Sequence, residues 1–203
     1  QPRKAPYAII EAFNPNVVGG KPIAAAIFGK ENRWGKLPVT MYPHAFLTQK
    51  PMTDYNISSG VGRTYRYYTK KPLFPFGHGL SYTTFHTNCT LGRPSSGLSL
   101  SCDVRNTGNV DGEEIVMMYH SVGSSIRKQL NHPAPKRALL DFARVYVPAG
   151  EVVRIPFDVP EESFQIVDNA GDRVLYKGEH ILEVTGEGAG APGRQILYVV
   201  VGL

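Results

Sequence analysis

Between Leu98 and Arg105 the chain alternates: Leu98, Leu100, Cys102 and Val104 are apolar, and Ser99, Ser101, Asp103 and Arg105 are polar. A period of two puts each set on one face of an extended strand, one toward a core and one toward water. Further strands read at Glu113 to Ser121, Arg137 to Val147, Glu151 to Val159, Asp172 to Lys177, His180 to Thr185 and Gln195 to Val201. Turn chemistry separates these runs, most densely at Asn106-Thr107-Gly108-Asn109-Val110-Asp111-Gly112 and at Pro148-Ala149-Gly150. Pro160 to Phe164 suits a single helical turn between sheets. With Gly 21 and Pro 16 in 203 residues, short strands are favoured over long helices. About seven strands at this spacing predict an antiparallel β-sandwich from Tyr82 onward.

The first half has another character. Tyr7 to Phe13 is apolar apart from Glu11 and reads as a buried strand of a parallel sheet. Asn14-Pro15-Asn16 breaks it, and Gly19-Gly20-Lys21-Pro22 opens a short helix, Ile23 to Phe28, stopped by Gly29. The glycine pair lacks both G-x-G-x-x-G spacing and a following Gly-Lys-Ser/Thr, so it reads as a turn and not a phosphate cradle. One strand and one helix cannot cover their own faces, so a partner polypeptide is expected to supply the rest of that sheet. From Tyr42 to Phe74 no period persists, and Pro43, Pro51, Gly60, Gly62 and Pro72 punctuate the run. An irregular stretch of that length suggests a functional loop or an arm lying on another surface. Its Tyr55, Tyr65, Tyr67, Tyr68, Arg63 and Arg66 suit contact with a sugar or a protein. The same rings serve equally as core filler, with Asp54 pairing Arg63 or Arg66 to fix the arm. Pro75 to Thr83 then forms a rigid turn delivering Tyr82 and Phe85 into the first strand, with His78 a turn residue.

Charged residues make up 19% and hydrophobic ones 42%, a globular balance. The net charge of +5 comes from scattered residues and small clusters at Arg63/Arg66/Lys70/Lys71 and Arg127/Lys128; no long basic run with interleaved aromatics occurs, which argues against nucleic acid. No apolar run approaches the roughly 20 residues of a membrane span. The opening Gln1-Pro2-Arg3-Lys4-Ala5-Pro6 carries no signal-peptide pattern and reads as a chain starting inside a domain. Two N-glycosylation sequons, at Asn56 and Asn88, nevertheless point to a secretory route, extracellular or vacuolar. Cys89 and Cys102 flank a predicted hairpin from Thr90 to Ser101 with its tip at Arg93 to Gly97. They are either two buried thiols or a disulfide; the sequons favour the disulfide, which would contribute on the order of 3 kcal/mol.

Candidate chemistry is sparse. Glu11, Asp54, Glu113, Glu114, Glu161 and Glu162 show no convergence in sequence, and the pairs flanking turns read as solvated. His44, His78, His86, His120, His132 and His180 are dispersed and read as surface or turn residues. No nucleophile motif and no metal spacing occur, so neither metal nor cofactor is expected.

Several uncommon words do occur in order: Met52-Thr53-Asp54, Gly62-Arg63-Thr64-Tyr65-Arg66-Tyr67-Tyr68 and Pro75-Phe76-Gly77-His78-Gly79-Leu80-Ser81-Tyr82. Together they resemble the C-terminal part of family 3 glycoside hydrolases, most closely the β-xylosidase and α-L-arabinofuranosidase branch. Ala8-Ile9-Ile10, Gly19-Gly20, Ile23-Ala24, Ile27-Phe28-Gly29 and Gly35-Lys36-Leu37-Pro38-Val39-Thr40 are similar to the last strand and helix of that family's α/β-sandwich domain. Asn14-Pro15-Asn16-Val17 stands where the family usually has Tyr-Pro-Gly-Gln, and Arg33-Trp34 where it has Pro-Ser. Asn16 can replace Gly in a left-handed turn, whereas Val17 cannot form a glutamine's hydrogen bonds.

The resemblance implies a mixed fold. Residues 1–45 would be the C-terminal β–α piece of an incomplete α/β sandwich, 46–81 a linker arm, and 82–203 a fibronectin type III-like antiparallel β-sandwich. It also implies that this chain holds no catalytic residue. Retaining glycosidases need two carboxylates about 5 Å apart, and in the family both belong to an N-terminal polypeptide containing a TIM barrel and most of the α/β sandwich. That chain would be the partner. The holoenzyme would release terminal β-xylosyl or arabinosyl residues from oligosaccharides, with Arg63, Tyr65 and Arg66 at the substrate-site edge. Two other readings remain: a stand-alone carbohydrate-binding or adhesion module, and an accessory subunit of an unrelated enzyme.

Overall fold

A computed structural model describes residues 8–92, 98–185 and 194–201. Two sheets face each other. One has the order β1 (Phe85–Gly92), β2 (Leu98–Asn106), β5 (Val152–Val159); the other runs β4 (Ala138–Val147), β3 (Gly112–Val122), β8 (Gly178–Thr185), β9 (Gln195–Val201). Every pairing within them is antiparallel. The alternation seen in the sequence becomes the core: Leu100, Cys102 and Val104 from one sheet meet Val116, Met118, Leu182 and Val184 from the other. Cys89 sits opposite Cys102 in the register, and the two are joined by a disulfide on the inner face. The expected hairpin tip, Arg93 to Gly97, lies outside the described residues.

Two side-chain amides lock the sandwich. Asn106 is fully buried; its Nδ2 donates to the carbonyls of Val110 (2.8 Å) and Val147 (3.0 Å), and its Oδ1 accepts from Thr83 Oγ1 (2.6 Å) and Gly108 N (3.1 Å). Gln195 spans the gap between sheets. Its Oε1 accepts from Cys89 N (2.6 Å) and its Nε2 donates to Cys89 O (2.7 Å), copying the bonding of a neighbouring strand.

Smaller elements meet expectation only in part. The turn before the last sheet strands is a 3₁₀ helix over Glu161–Phe164, as its sequence suggests. The expected strand Asp172 to Lys177 contracts to β7 (Arg173–Val174), which pairs with β6 (Ile166–Val167) around a turn where Gly171 takes φ 93°. Between the strands expected at Glu113 to Ser121 and Arg137 to Val147 lies a helix that the sequence reading does not contain, Ser124–Gln129, whose Ile126 is fully buried. A helix this short offers one apolar anchor and no repeat from which a period could be read.

The first segment shows the clearest correction. Tyr7 lies outside the described residues, and Ala8 to Phe13 is irregular and exposed instead of a buried strand. A strand exists only where a neighbour satisfies its N–H and C=O groups, and among the described residues none lies beside it. Phe13, and not Asn16, takes the left-handed conformation (φ 49°), while Asn16 is extended and caps Val17. The helix runs over Gly20–Ile27 (α1), with Pro22 in its first turn, where the missing N–H costs nothing. No residue of α1 is buried. It is held by polar clips: Tyr82 Oη donates to Ala26 O (2.9 Å), and buried Asn32 joins Ser81, Tyr82 and Asp111.

Candidate functional site

The arm is less irregular than its sequence. Met41 pairs with Phe74, and Leu37 exchanges backbone hydrogen bonds with Gly77 and His78, so the two ends of the loop are zipped together. Gly79 lets the strands touch, because a Cβ there would lie 2.3 Å from Gly35 O. Between the ends are two helical turns, Phe46–Gln49 (α2) and Thr64–Tyr67 (α3). Instead of reaching only toward another surface, the arm lies on its own sandwich. Tyr65 stacks on Phe76 (4.2 Å between centroids), and both pack on Tyr119, Ile115 and Met117 on the outer face of β3. That contact explains why β3 is buried on both faces and lacks alternation.

Asp54 does not pair with either arginine. Its partner is Lys50, whose buried ammonium also donates to Asn56 O (2.7 Å) and Ser59 O (3.0 Å). Hydrogen bonds from Lys50 and Ser59 hold the Asp54 carboxyl down to about 2. Replacing Lys50 by Met should open this loop and speed protease cleavage between residues 50 and 60 several-fold. Unchanged cleavage would show the cage to be dispensable.

The three predicted edge residues are brought onto one stretch with different tasks. Arg63 Nη2 donates to Pro51 O (2.6 Å), and its guanidinium lies 5.7 Å from the Phe46 ring centre. Tyr65 Oη accepts from Leu139 N (3.1 Å). Arg66 lies over Tyr67, and its buried Nε has no hydrogen-bond partner among the described residues. Thr64 between them sits at φ 60°, costly for a β-branched residue, and its N–H donates to Tyr42 Oη (2.6 Å). Both sequon asparagines are exposed: Asn56 accepts from Ser58 N and Oγ in a local turn, and Asn88 points outward from β1.

Between arm and sheet is a cleft of ≈740 Å³ lined by Tyr65, Tyr68 and Phe76 and by charged side chains. The two carboxylates that line it among the described residues are both committed. Glu114 is 1% exposed and lies 3.2 Å from Lys36 Nζ, so it is a buried ion-pair member and not the solvated turn residue its sequence suggests. Glu183 takes Arg137 on one oxygen and Arg194 on the other, each at 2.8 Å. Arg137 also lies 4.4 Å from the centre of the Tyr119 ring, whose hydroxyl burial pushes up to about 12. Both carboxylates tie charged side chains together across the cleft wall.

Sequence reasoning missed a second cluster. His120 and His180, expected at the surface, are buried and share a hydrogen bond of 2.9 Å from Nε2 to Nδ1; His180 Nε2 donates to Tyr176 O at 2.8 Å. Phe164 presses its ring against both imidazoles. Burial lowers both, His120 to about 4 with help from nearby His180 and Arg127. The signal was present only as their inward parity in β3 and β8. Among the described residues no helix is long and apolar enough to cross a membrane.

The profile of the glycosyl hydrolase family 3 C-terminal domain matches residues 2–82, and that of a fibronectin type III-like domain matches residues 114–187. An exo-1,4-beta-xylosidase of Emericella nidulans is 32% identical, the match covering 87% of this chain and 25% of that protein. Beta-D-xylosidase 1 of Arabidopsis thaliana is 34% identical, with 87% and 27% covered. Among solved structures, a beta-glucosidase of Bifidobacterium adolescentis superposes with a TM-score of 0.73 at 28% identity, over 90% of this chain and 28% of that one. The Streptomyces venezuelae beta-glucosidase DesR gives 0.71 at 30% identity, over 89% and 25%. The chain thus spans about a quarter of the length of the relatives it matches.

Proposed function

We infer the role of this chain from the family to which it belongs, glycosyl hydrolase family 3, as a C-terminal domain with a fibronectin type III-like domain. It acts as the structural C-terminal portion of a secreted exo-glycosidase that releases terminal β-xylosyl or arabinosyl residues with retention. The catalytic carboxylates belong to an N-terminal polypeptide. The segments 1–45, 46–81 and 82–203 would respectively complete that polypeptide's α/β sandwich, run along it, and form the β-sandwich. Relatives named as xylosidases support xylose over glucose. The exposed sequons at Asn56 and Asn88, with the Cys89–Cys102 bridge, support secretion.

One observation carries the reading: Ile9, Ile10, Phe13, Val17, Val18, Ile27 and Phe28 are all exposed around a helix with no buried residue. Large apolar side chains gathered on one short segment call for a cover. Of the three edge residues, Arg66 retains a donor for a substrate hydroxyl, while Arg63 and Tyr65 hold the arm. The chain alone should leave an aryl β-xyloside intact, and the polypeptide joining it to a family 3 catalytic region should hydrolyse it. Hydrolysis by the isolated chain would overturn the assignment of catalysis to the absent part. A stable monomer that binds xylo-oligosaccharide unaided would favour the binding-module reading.

A further inference from the structure

We propose that the cleft between the arm and the outer face of the four-stranded sheet binds an acidic carbohydrate, a sugar ring bearing a carboxylate. Its volume, ≈740 Å³, falls in the range of ligand sites and far exceeds one pentose. Among the described residues, six cationic side chains line it against two carboxylates. Lys36 is neutralised by Glu114, and Glu183 offsets only one of Arg137 and Arg194. Lys136 Nζ is anchored to Tyr68 O, while Lys70 and Lys71 stand at the exposed mouth. The cleft is therefore a net cationic concavity, and low-dielectric walls raise the local concentration of anions.

Two further features select a sugar over a bare anion. The stacked Tyr65 and Phe76 contribute rings to the wall, surfaces on which the C–H face of a sugar packs. The Thr40 hydroxyl lines the same cleft, is buried, and has no partner among the described residues. A sugar hydroxyl would satisfy it, and a carboxylate would take the lysines or the arginine fork. The choice of a sugar over another carboxylate rests on the glycosidase reading above.

Calorimetric titration of the whole polypeptide with glucuronate, xylose and inorganic sulfate tests the proposal. Glucuronate should bind at least tenfold more tightly than either of the others. Lys70→Gln with Lys71→Gln should weaken it about tenfold, the equivalent of one charged hydrogen bond. Glu183→Gln, which releases the arginines from their carboxylate, should tighten it, an effect that a purely structural role for Glu183 would not produce. Thermal melts of each variant establish that it folds. Sulfate binding as well as glucuronate, xylose binding equally well, or no glucuronate binding at 10-millimolar-order concentrations would each overturn the proposal. The last result is also the one expected if an acidic segment of the same polypeptide fills the cleft. Hydrolysis of an aryl xyloside by the same preparation reads the glycosidase premise separately.

Discussion

Asn106→Leu should lower the stability of the sandwich by about 4 kcal/mol, with a fall in melting temperature on the order of 10 °C. Leucine fills much of the volume but makes none of the four side-chain hydrogen bonds. Thr83 Oγ1, Gly108 N and the carbonyls of Val110 and Val147 would then lose their partner where water has little access. Each stranded group costs roughly 1–3 kcal/mol before relaxation, so the sum exceeds what a leucine gains by burial. Thr107→Val supplies the contrast. That hydroxyl bonds Thr84 at an exposed position, and its loss should cost less than about 1 kcal/mol. Equal denaturation midpoints for the two variants would mean that Asn106 is not the clasp described here.

The second large effect is in acid. His120 titrates at about 4 in the folded chain against 6.5 when free, so the unfolded chain binds the extra proton over that interval. Stability from keeping the ring neutral is complete above pH 6.5 and is lost as pH falls toward 4. At 1.36 kcal/mol per unit the loss approaches about 3 kcal/mol. His180, also lowered, deepens the same decline. A glutamine at position 120 can donate to His180 Nδ1 but cannot titrate. The His120→Gln protein should therefore show a flatter profile between pH 6.5 and 4 in chemical denaturation. A slope identical to the parent's would remove His120 as its source.

Most of the sandwich was legible because its signal is local. A strand with one wet face writes its alternation into consecutive residues, as Leu98 to Arg105 does. β3 does not, since the arm covers its outer face and Ile115, Met117 and Tyr119 are buried beside Val116 and Met118. Its identity as a strand could be read, but its double burial needed the distant Tyr65 and Phe76. The opening strand failed for the opposite reason: apolar composition records what a segment is built to touch, not what lies beside it in one chain. Site-level inference was weakest. That Glu114 meets Lys36, Asp54 meets Lys50 and His120 meets His180 depends on loop closure and strand register. A single sequence contains the members of such pairs without saying who faces whom.

Gln195 has a bearing on self-association. A terminal strand with unspent amides and carbonyls is a template onto which a foreign strand can grow, the first step toward fibrils. On β1 the Cys89 amide and carbonyl are already taken by the Gln195 side chain, and at the opposite border of the same sheet Pro156 offers no N–H at all. Both margins of the three-stranded layer are blunted at these points, one by occupation and one by omission, which works against the layer recruiting strands from other copies.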